Sequence, residues 1–471
     1  MNLSRTISVD LVSRLGRAVV ALCAISVFIT ILGSDIFGRF VLFEAVVTIL
    51  GIGVDMGLGS AAQKRVADHR PSKVISTVLV LKALFLVIVG TALLLGGSVI
   101  EPFLSPSLVP SLIIAVGVQQ LGRVGLHALR GRLRVSEAAL VQLFGDLVLL
   151  IAGYAMAVSG FELLGLVYAF VLQWVLISAV SLWLIGYTPS LPSLDVGRSL
   201  FAFSKYTFVS SVVASALYGW TDTLLIGYYL SPGAVAVYEA AWRVARAVSL
   251  VSQSIGTALF PQVSDWQLSD ELTAVTETVR DGITGALVVV FPAIVGAALL
   301  GDSLLGTFVD PTTAAGAMVL VVLLVGKIPE SLNDVVARTL FGLDKPAYTA
   351  YAAGLFMLIN VGLNVVLIPL YGIEGAAIAT TLAFAVNAAV NTYYLRSQVA
   401  VSFDYRTLGY VLLSSLCMGV VLLLINQMIS IDSQVSLLGT VVFGGVLYFF
   451  VLLIPPSVRQ RAKKLKKQLL G

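Results

Sequence analysis

Residues 203–261 read FSKYTFVSSVVASALYGWTDTLLIGYYLSPGAVAVYEAAWRVARAVSLVSQSIGTALFP, two apolar stretches joined by Leu230-Ser231-Pro232-Gly233. Pro and Gly punctuate a helical pattern, so a tight turn falls there. Each stretch is long enough to cross a bilayer, whose hydrocarbon core of about 30 Å takes roughly 20 apolar residues. Yet each carries charge at or near mid-depth: Asp222 in the first, then Glu239, Arg243 and Arg246 in the second. A charge in hydrocarbon costs about 2.5–3.5 kcal/mol or more, so such groups face a bundle interior or a watery cavity. The pair reads as one wall of a polar chamber inside a membrane.

The composition places the whole chain in the same class. Hydrophobic residues make up 58% of the 471 and charged residues 11%, with a mean hydropathy of +1.00. Soluble domains carry roughly 25% charged residues. Windows of membrane-spanning length predict about fourteen helices. They fall near 12–32, 40–61, 74–95, 110–129, 138–158, 163–185, 204–229, 235–259, 282–300, 315–340, 348–370, 373–395, 408–428 and 437–454. The expected fold is an all-α integral membrane protein.

Net charge is +4, and its placement argues against nucleic acid as partner. Lys64, Arg65, Arg70 and Lys73, then Arg130, Arg132 and Arg134, then the basic tail 459–467, all fall on one side when the spans are threaded. The opposite loops 96–109, 301–314 and 429–434 hold no Lys or Arg. By the positive-inside rule both termini are cytoplasmic. The tail reads as a juxtamembrane segment attracted to anionic lipid. Cys23 and Cys417 lie far apart inside predicted spans, which gives neither a disulfide framework nor metal-type spacing. They read as small apolar filler. The polar opening 1–10 and the length of the first span predict no cleaved targeting peptide.

The chain repeats itself. Leu32-Gly33-Ser34-Asp35-Ile36-Phe37-Gly38-Arg39-Phe40 echoes Leu230-Ser231-Pro232-Gly233-Ala234-Val235-Ala236-Val237-Tyr238, and Gly165 to Ala169 (GLVYA) echoes Gly375 to Ala379 (GAAIA). Internal repeats of this kind build many transporters. They divide the chain into an N-terminal lobe of six spans (1–185), a connector (186–199) marked by Pro189 and Pro192, and a second six-span lobe (200–395). The lobes are expected in parallel pseudo-twofold relation around a central cavity. Two extra helices (396–454) and the tail (455–471) follow. Gly51, Gly53, Gly57 and Gly59 allow close helix approach.

The stretch LGSDIFGRF…DMGLGSAAQKR resembles the opening signature of polysaccharide and lipid-linked oligosaccharide flippases. Asp222…Gly227…Tyr238…Phe260-Pro261 resembles their central signature. The most specific block is Gly342-Leu343-Asp344-Lys345-Pro346, followed by Asn364 and by Ile368-Pro369-Leu370-Tyr371-Gly372-Ile373-Glu374-Gly375-Ala376-Ala377. Ala236 departs from the family, whose second turn commonly has Gly. The family belongs to the multidrug/oligosaccharidyl-lipid/polysaccharide exporter superfamily, which implies a V-shaped pair of six-helix lobes working by alternating access.

Residues three or four apart share a helix face. Gln120, Arg123, His127, Arg130 and Arg134 form one such line; Glu239, Arg243, Arg246 and Gln253 form another. Lys327, Glu330, Asp334 and Arg338 make a third, and Ser211, Ser215, Tyr218 and Asp222 a fourth. Mutual burial of these faces would line the central cavity. A lipid-linked sugar can leave its tail in the bilayer, but its phosphate and hydroxyls cannot cross alone, since each unpaired hydroxyl costs about 2–7 kcal/mol in an apolar medium. Arginine forks match phosphate oxygens. Arg123, Arg243 and Arg246 are the candidate phosphate contacts, with Lys327 next; Gln120, Tyr218, Asn364, Asn387 and Asn391 could bond sugar hydroxyls. Asp222, Glu239, Asp334 and Arg338 are candidates for coupling or gating, with H+ or Na+ as the ion and no other cofactor.

Blander readings stand beside these. Glu239 can simply neutralise Arg243, the Lys327 to Arg338 line can be a self-satisfying ladder, and Asn387 and Asn391 can be helix–helix glue. His127 reads as structural, and Arg130 and Arg134 as topology signals. The rival function is a cation-coupled multidrug exporter of the same superfamily, whose cavity should be acidic and aromatic rather than rich in arginine. A membrane glycosyltransferase is disfavoured by the lack of an Asp-x-Asp pair or a long catalytic loop; the chain reads as a transporter, not an enzyme. The fused lobes already supply the symmetry of a dimer, so a monomer is expected.

Overall fold

The computed structural model describes residues 3–68, 71–96, 100–207, 213–268, 272–308, 316–428 and 434–459. Side chains at 3–11, 67–68, 205–207, 213–218, 258, 261, 268, 272, 308 and 434 lie outside the described set, as do 460–471 of the basic tail. Among the described residues every regular element is helical: α1 (Leu3–Leu32), α2 (Ser34–Asp55), α3 (Leu58–Asp68), α4 (Pro71–Leu95), α5 (Val109–Gly131), α6 (Val135–Val158), α7 (Glu162–Ile185), α8 (Leu194–Thr207), α9 (Val213–Tyr229), α10 (Pro232–Leu268), α11 (Leu272–Phe308), α12 (Ala317–Gly342), α13 (Pro346–Arg396), α14 (Tyr405–Met428) and α15 (Gln434–Leu452). Among the described residues ten stretches, in α1, α2, α4 to α7, α11 and α13 to α15, are long and apolar enough to cross a membrane. The helices carrying most of the candidate charges, α10 and α12, are not among those ten.

The surface is apolar and the interior is partly polar. Val80, Leu84, Val87 and Ile88 of α4 and Leu413, Leu416 and Val420 of α14 are exposed, while Lys82, Asp222, Glu239, Lys327 and Asn364 are buried. Apolar bands of that extent in water would be an association surface. In lipid they are the solvent-facing side, and the charges are buried away from it. The chain is a multi-pass membrane protein. Cys23 and Cys417 are free and sit on exposed helix surfaces rather than filling the interior.

The chain divides into two compact units, Met1–Glu239 and Ala240–Gly471. In the first, Phe28, Phe37, Phe40, Phe43, Phe170 and Trp174 form an aromatic ladder from α1 and α2 to α7. A second core joins Leu58, Ala62, Ile75, Val78, Val124 and Leu200 of α3, α4, α5 and α8. In the second unit Val279, Ile283, Val290, Val335 and Leu340 anchor α11 to α12, and Met418, Leu422 and Tyr448 join α14 and α15 to α11. The Tyr448 hydroxyl donates to the Val288 carbonyl at 2.6 Å.

One sequence expectation changes. The second span was expected to run unbroken over 40–61, but α2 stops at Asp55 and the chain turns through Met56 (φ 41) and Gly57 (φ 80) before α3 begins. A glycine takes such a φ without the steric cost other residues bear. Asp55 Oδ1 then accepts the Gly59 N–H at 3.2 Å, capping the first turn of α3. The connector 186–199 is itself bonded to α4 and begins a helix. Thr188, Ser190 and Ser193 donate backbone N–H bonds to Ser72, Ser76 and Thr77 of α4, and α8 starts at Leu194 because Val196, Leu200 and Phe203 give it an apolar face toward α3 and α4.

The third signature behaves as its residues suggest. Asp344 takes the left-handed conformation (φ 55) between α12 and α13, and Pro346 sits in the first turn of α13. Gly372 (φ 62, ψ −140) breaks α13 between the two spans expected there.

Candidate functional site

In the first unit a polar wall forms where α2 breaks. The break leaves the Asp55 carboxylate at a helix end, and Lys82, near the middle of α4, places Nζ 2.5 Å from Asp55 Oδ1. The same Nζ donates to Gln120 Oε1 of α5 at 2.8 Å, and Gln120 Nε2 donates to the Gly51 carbonyl at 2.9 Å. Glycine at 51 makes this possible, since a Cβ there would stand 2.6 Å from Gln120 Nε2. Gly59 likewise leaves room for the His127 ring, whose Nδ1 lies 3.1 Å from Gln63 Oε1. A buried lysine and carboxylate survive only as a hydrogen-bonded pair, because each alone would bear the full desolvation cost.

Arg123 lies one helical turn beyond Gln120, half-buried and within electrostatic reach of Asp55. Among the described residues it makes no hydrogen bond or ion pair. Gln119, beside it, has a buried Oε1 with no partner among them. The wall thus contains one satisfied pair and one arginine whose donors are uncommitted.

The two echoing segments meet inside this unit. Gly38 lies against the Pro232 backbone so closely that a Cβ would collide with the Pro232 carbonyl, and the Gly233 N–H donates to Asp35 Oδ1 at 3.1 Å. Below that contact Tyr238 donates its hydroxyl to Asp222 Oδ2 at 2.6 Å. Asp222 and Glu239 are both buried. The side chain of Tyr218 lies outside the described residues, as do those of Ser211 and Ser215.

The second unit carries its own polar wall. Lys327 is 1% exposed, with Nζ 2.6 Å from Glu330 Oε2 and 4.4 Å above the Trp242 ring. Glu330 also accepts from Ser249 at 3.0 Å, and Asp334 accepts from Ser252 at 2.6 Å. Asn391 donates to Asn333 and Asn387, and Asn364, fully buried, donates to the Asn360 carbonyl. Arg243 is half-buried, while Arg246 and Arg338 are exposed. Among the described residues no group of three or more His, Cys, Asp or Glu could hold a metal ion.

The spacing of charges in the sequence did not single out Asp55 and Lys82. Lys82 had a signal: a lone lysine midway along an apolar window is costly unless something buried answers it. Gln120 and Lys327, read as substrate contacts, are here engaged in internal bonds.

The sequence profile described as "Polysaccharide biosynthesis protein" matches residues 29–309. The chain belongs to this family. A probable low-salt glycan biosynthesis flippase of Haloferax volcanii, Agl15, is 30% identical over 98% of both chains. A probable flippase of the same organism, AglR, is 28% identical over 93% of both. The lipid II flippase MurJ in an inward closed conformation superposes with a TM-score of 0.80 at 15% identity, covering 94% of this chain and 98% of that one. The family member described here therefore has the all-α fold of a membrane transporter.

Proposed function

We propose that the protein is a flippase that moves a lipid-linked saccharide from the cytoplasmic to the outer leaflet by alternating access. The observation that carries this reading is Arg123: a half-buried, uncommitted guanidinium inside an apolar bundle, next to an ion pair that needs no further partner. Such a group suits a phosphate, which it can grip in a bidentate fork. The family membership and the names of the two relatives support a glycan-carrying role. A cation exporter would need carboxylates free for cargo, whereas Asp55 and Glu330 are answered by lysines.

Arg243 and Arg246 serve as further phosphate contacts, and Tyr218 meets sugar hydroxyls. Gln120, Lys327 and Asn364 shape the walls through their internal bonds. Asp222 and Glu239 carry any H+ or Na+ coupling, with Asp334 and Arg338 in gating. An anionic headgroup is already driven outward by about 2.3 kcal/mol per charge at 100 mV, so coupling adds to an existing force. The protein works as a monomer in the cytoplasmic membrane with both termini inside, its basic tail on anionic lipid.

The test is reconstitution with a fluorescent lipid-linked saccharide, with and without H+ and Na+ gradients. Wild-type vesicles should expose the headgroup faster than protein-free vesicles, and Arg243→Ala and Arg246→Ala should slow exposure about tenfold each by removing a charge-assisted bond. Movement of organic cations without movement of the saccharide would refute the reading. Wild-type rates in both variants would remove these arginines from the phosphate site.

A further inference from the structure

A cavity of about 550 Å3 lies among α1, α3, α5 and α6, lined by Ser13, Arg14, Arg17, Gln63, Arg130 and Gln142. Asp55, Lys82 and Arg123 do not line it. Its size falls within the roughly 300–1,000 Å3 of ligand sites and exceeds what a bare phosphate needs. The lining holds three arginines and no acidic residue. Arg17 is aimed by Asp146, at 2.6 Å, and by Gln142 Oε1, at 3.0 Å, and Arg130 reaches the same Gln142 oxygen at 3.4 Å. Ser13 is 1% exposed, and its Oγ has no hydrogen-bond partner among the described residues. A buried hydroxyl left unpaired is costly, so a ligand that accepts from it recovers that cost.

Two features say what kind of anion fits. Val12 and Leu15 flank Ser13 and Arg14 on α1, and Leu140 and Phe144 flank Gln142 on α6; all four are exposed apolar residues. The helices that line the cavity therefore also carry surface that acyl chains cover. The cavity also lies beside the basic clusters at 64–65 and 130–134, on the side the positive-inside rule assigns to the cytoplasm. That leaflet carries the anionic lipids.

We propose that this cavity holds the phosphate headgroup of a resident anionic phospholipid of the inner leaflet, separate from any cargo. Arg14, Arg17 and Arg130 bind the phosphate oxygens, Ser13 donates its hydroxyl, and the tails lie along α1 and α6. This assignment does not depend on the flippase reading.

Native mass spectrometry of the purified full-length protein in detergent tests it, titrating phosphatidylglycerol, phosphatidylcholine, inorganic phosphate and a lipid-linked saccharide. One saturable phosphatidylglycerol should bind at least tenfold tighter than phosphatidylcholine. Arg14→Gln/Arg130→Gln and the cavity-filling Ala139→Phe should each weaken it tenfold or more. Ser13→Ala, the mildest change, should weaken it about tenfold, in keeping with the lower end for one hydrogen bond to a charged group, and it guards against misfolding of the others. Equal binding of the two phospholipids, or wild-type binding by Ser13→Ala and the double variant together, overturns the proposal. Displacement by millimolar inorganic phosphate would make this a soluble-anion site, and displacement by the lipid-linked saccharide a cargo port; either result also overturns it.

Discussion

Replacing Lys82 by Met keeps the length and apolar stem of the side chain and removes only the ammonium. That ammonium is buried, 2.5 Å from Asp55 Oδ1 and 2.8 Å from Gln120 Oε1. Lys82→Met therefore strands a carboxylate and an amide oxygen where water does not replace the lost donor. Breaking a buried pair from one side costs about 3–5 kcal/mol. For a cooperative unit of this size that lowers Tm by about 6–20 °C. Asp55→Asn keeps an oxygen for the Gly59 N–H and so isolates the charge. The double variant Lys82→Met/Asp55→Asn should recover much of the loss, with a coupling energy of about 1–3 kcal/mol. Thermal unfolding in detergent, followed by tryptophan fluorescence and confirmed by size exclusion, reads all four corners of the cycle. Lys82→Met melting within about 2 °C of wild type, or strictly additive single changes, would refute the pairing argument.

Arg123→Ala should behave in the opposite way, slowing saccharide movement in vesicles by about ten- to a hundredfold, the worth of a charge-assisted phosphate bond, while Tm stays within about 2 °C of wild type. An equal loss of stability would class Arg123 with the structural charges. Lys327→Met should destabilise the second unit by about 3–5 kcal/mol, whereas Lys327→Met/Glu330→Met, replacing both buried partners by apolar chains, should restore melting and retain transport. Loss of transport by that stable double variant would return Lys327 to the cargo contacts. Gly38→Ala sets a Cβ against the Pro232 carbonyl, backbone that cannot rotate away, and should cost about 1–3 kcal/mol or more. Gly219→Ala on α9 meets nothing within 4 Å and should be neutral or stabilising by about 0.4–1 kcal/mol, which makes it the control for helix propensity in the same melting assay.

Much of this protein was legible in one dimension. Hydropathy fixes the membrane class because each bilayer crossing needs its own apolar run, a local property. The turn at 230–233, the Asp344 to Pro346 junction and the break at Gly372 were readable because Gly and Pro act on their own backbone. The echo of 32–40 in 230–238 suggested a repeat, though not that the two segments would touch through Gly38 and Pro232. The stripes on α5, α10 and α12 followed from helical spacing, which tells which residues share a face.

Spacing is silent about what lies opposite that face. Lys82 and Gln120 meet across 38 positions, Arg17 and Asp146 across 129, and Ser252 and Asp334 across 82. Such partners are set by which helices pack together and in what axial register. The sequence by itself thus determined that this chain is a helical membrane protein with charges it must bury. Only the tertiary structure decided which charges are spent on one another, as Lys82 and Lys327 are, and which stand outside such pairs among the described residues, as Arg123 does. The reason is that a buried charge is stable only with a partner within hydrogen-bond reach, and that reach is a distance in space rather than along the chain.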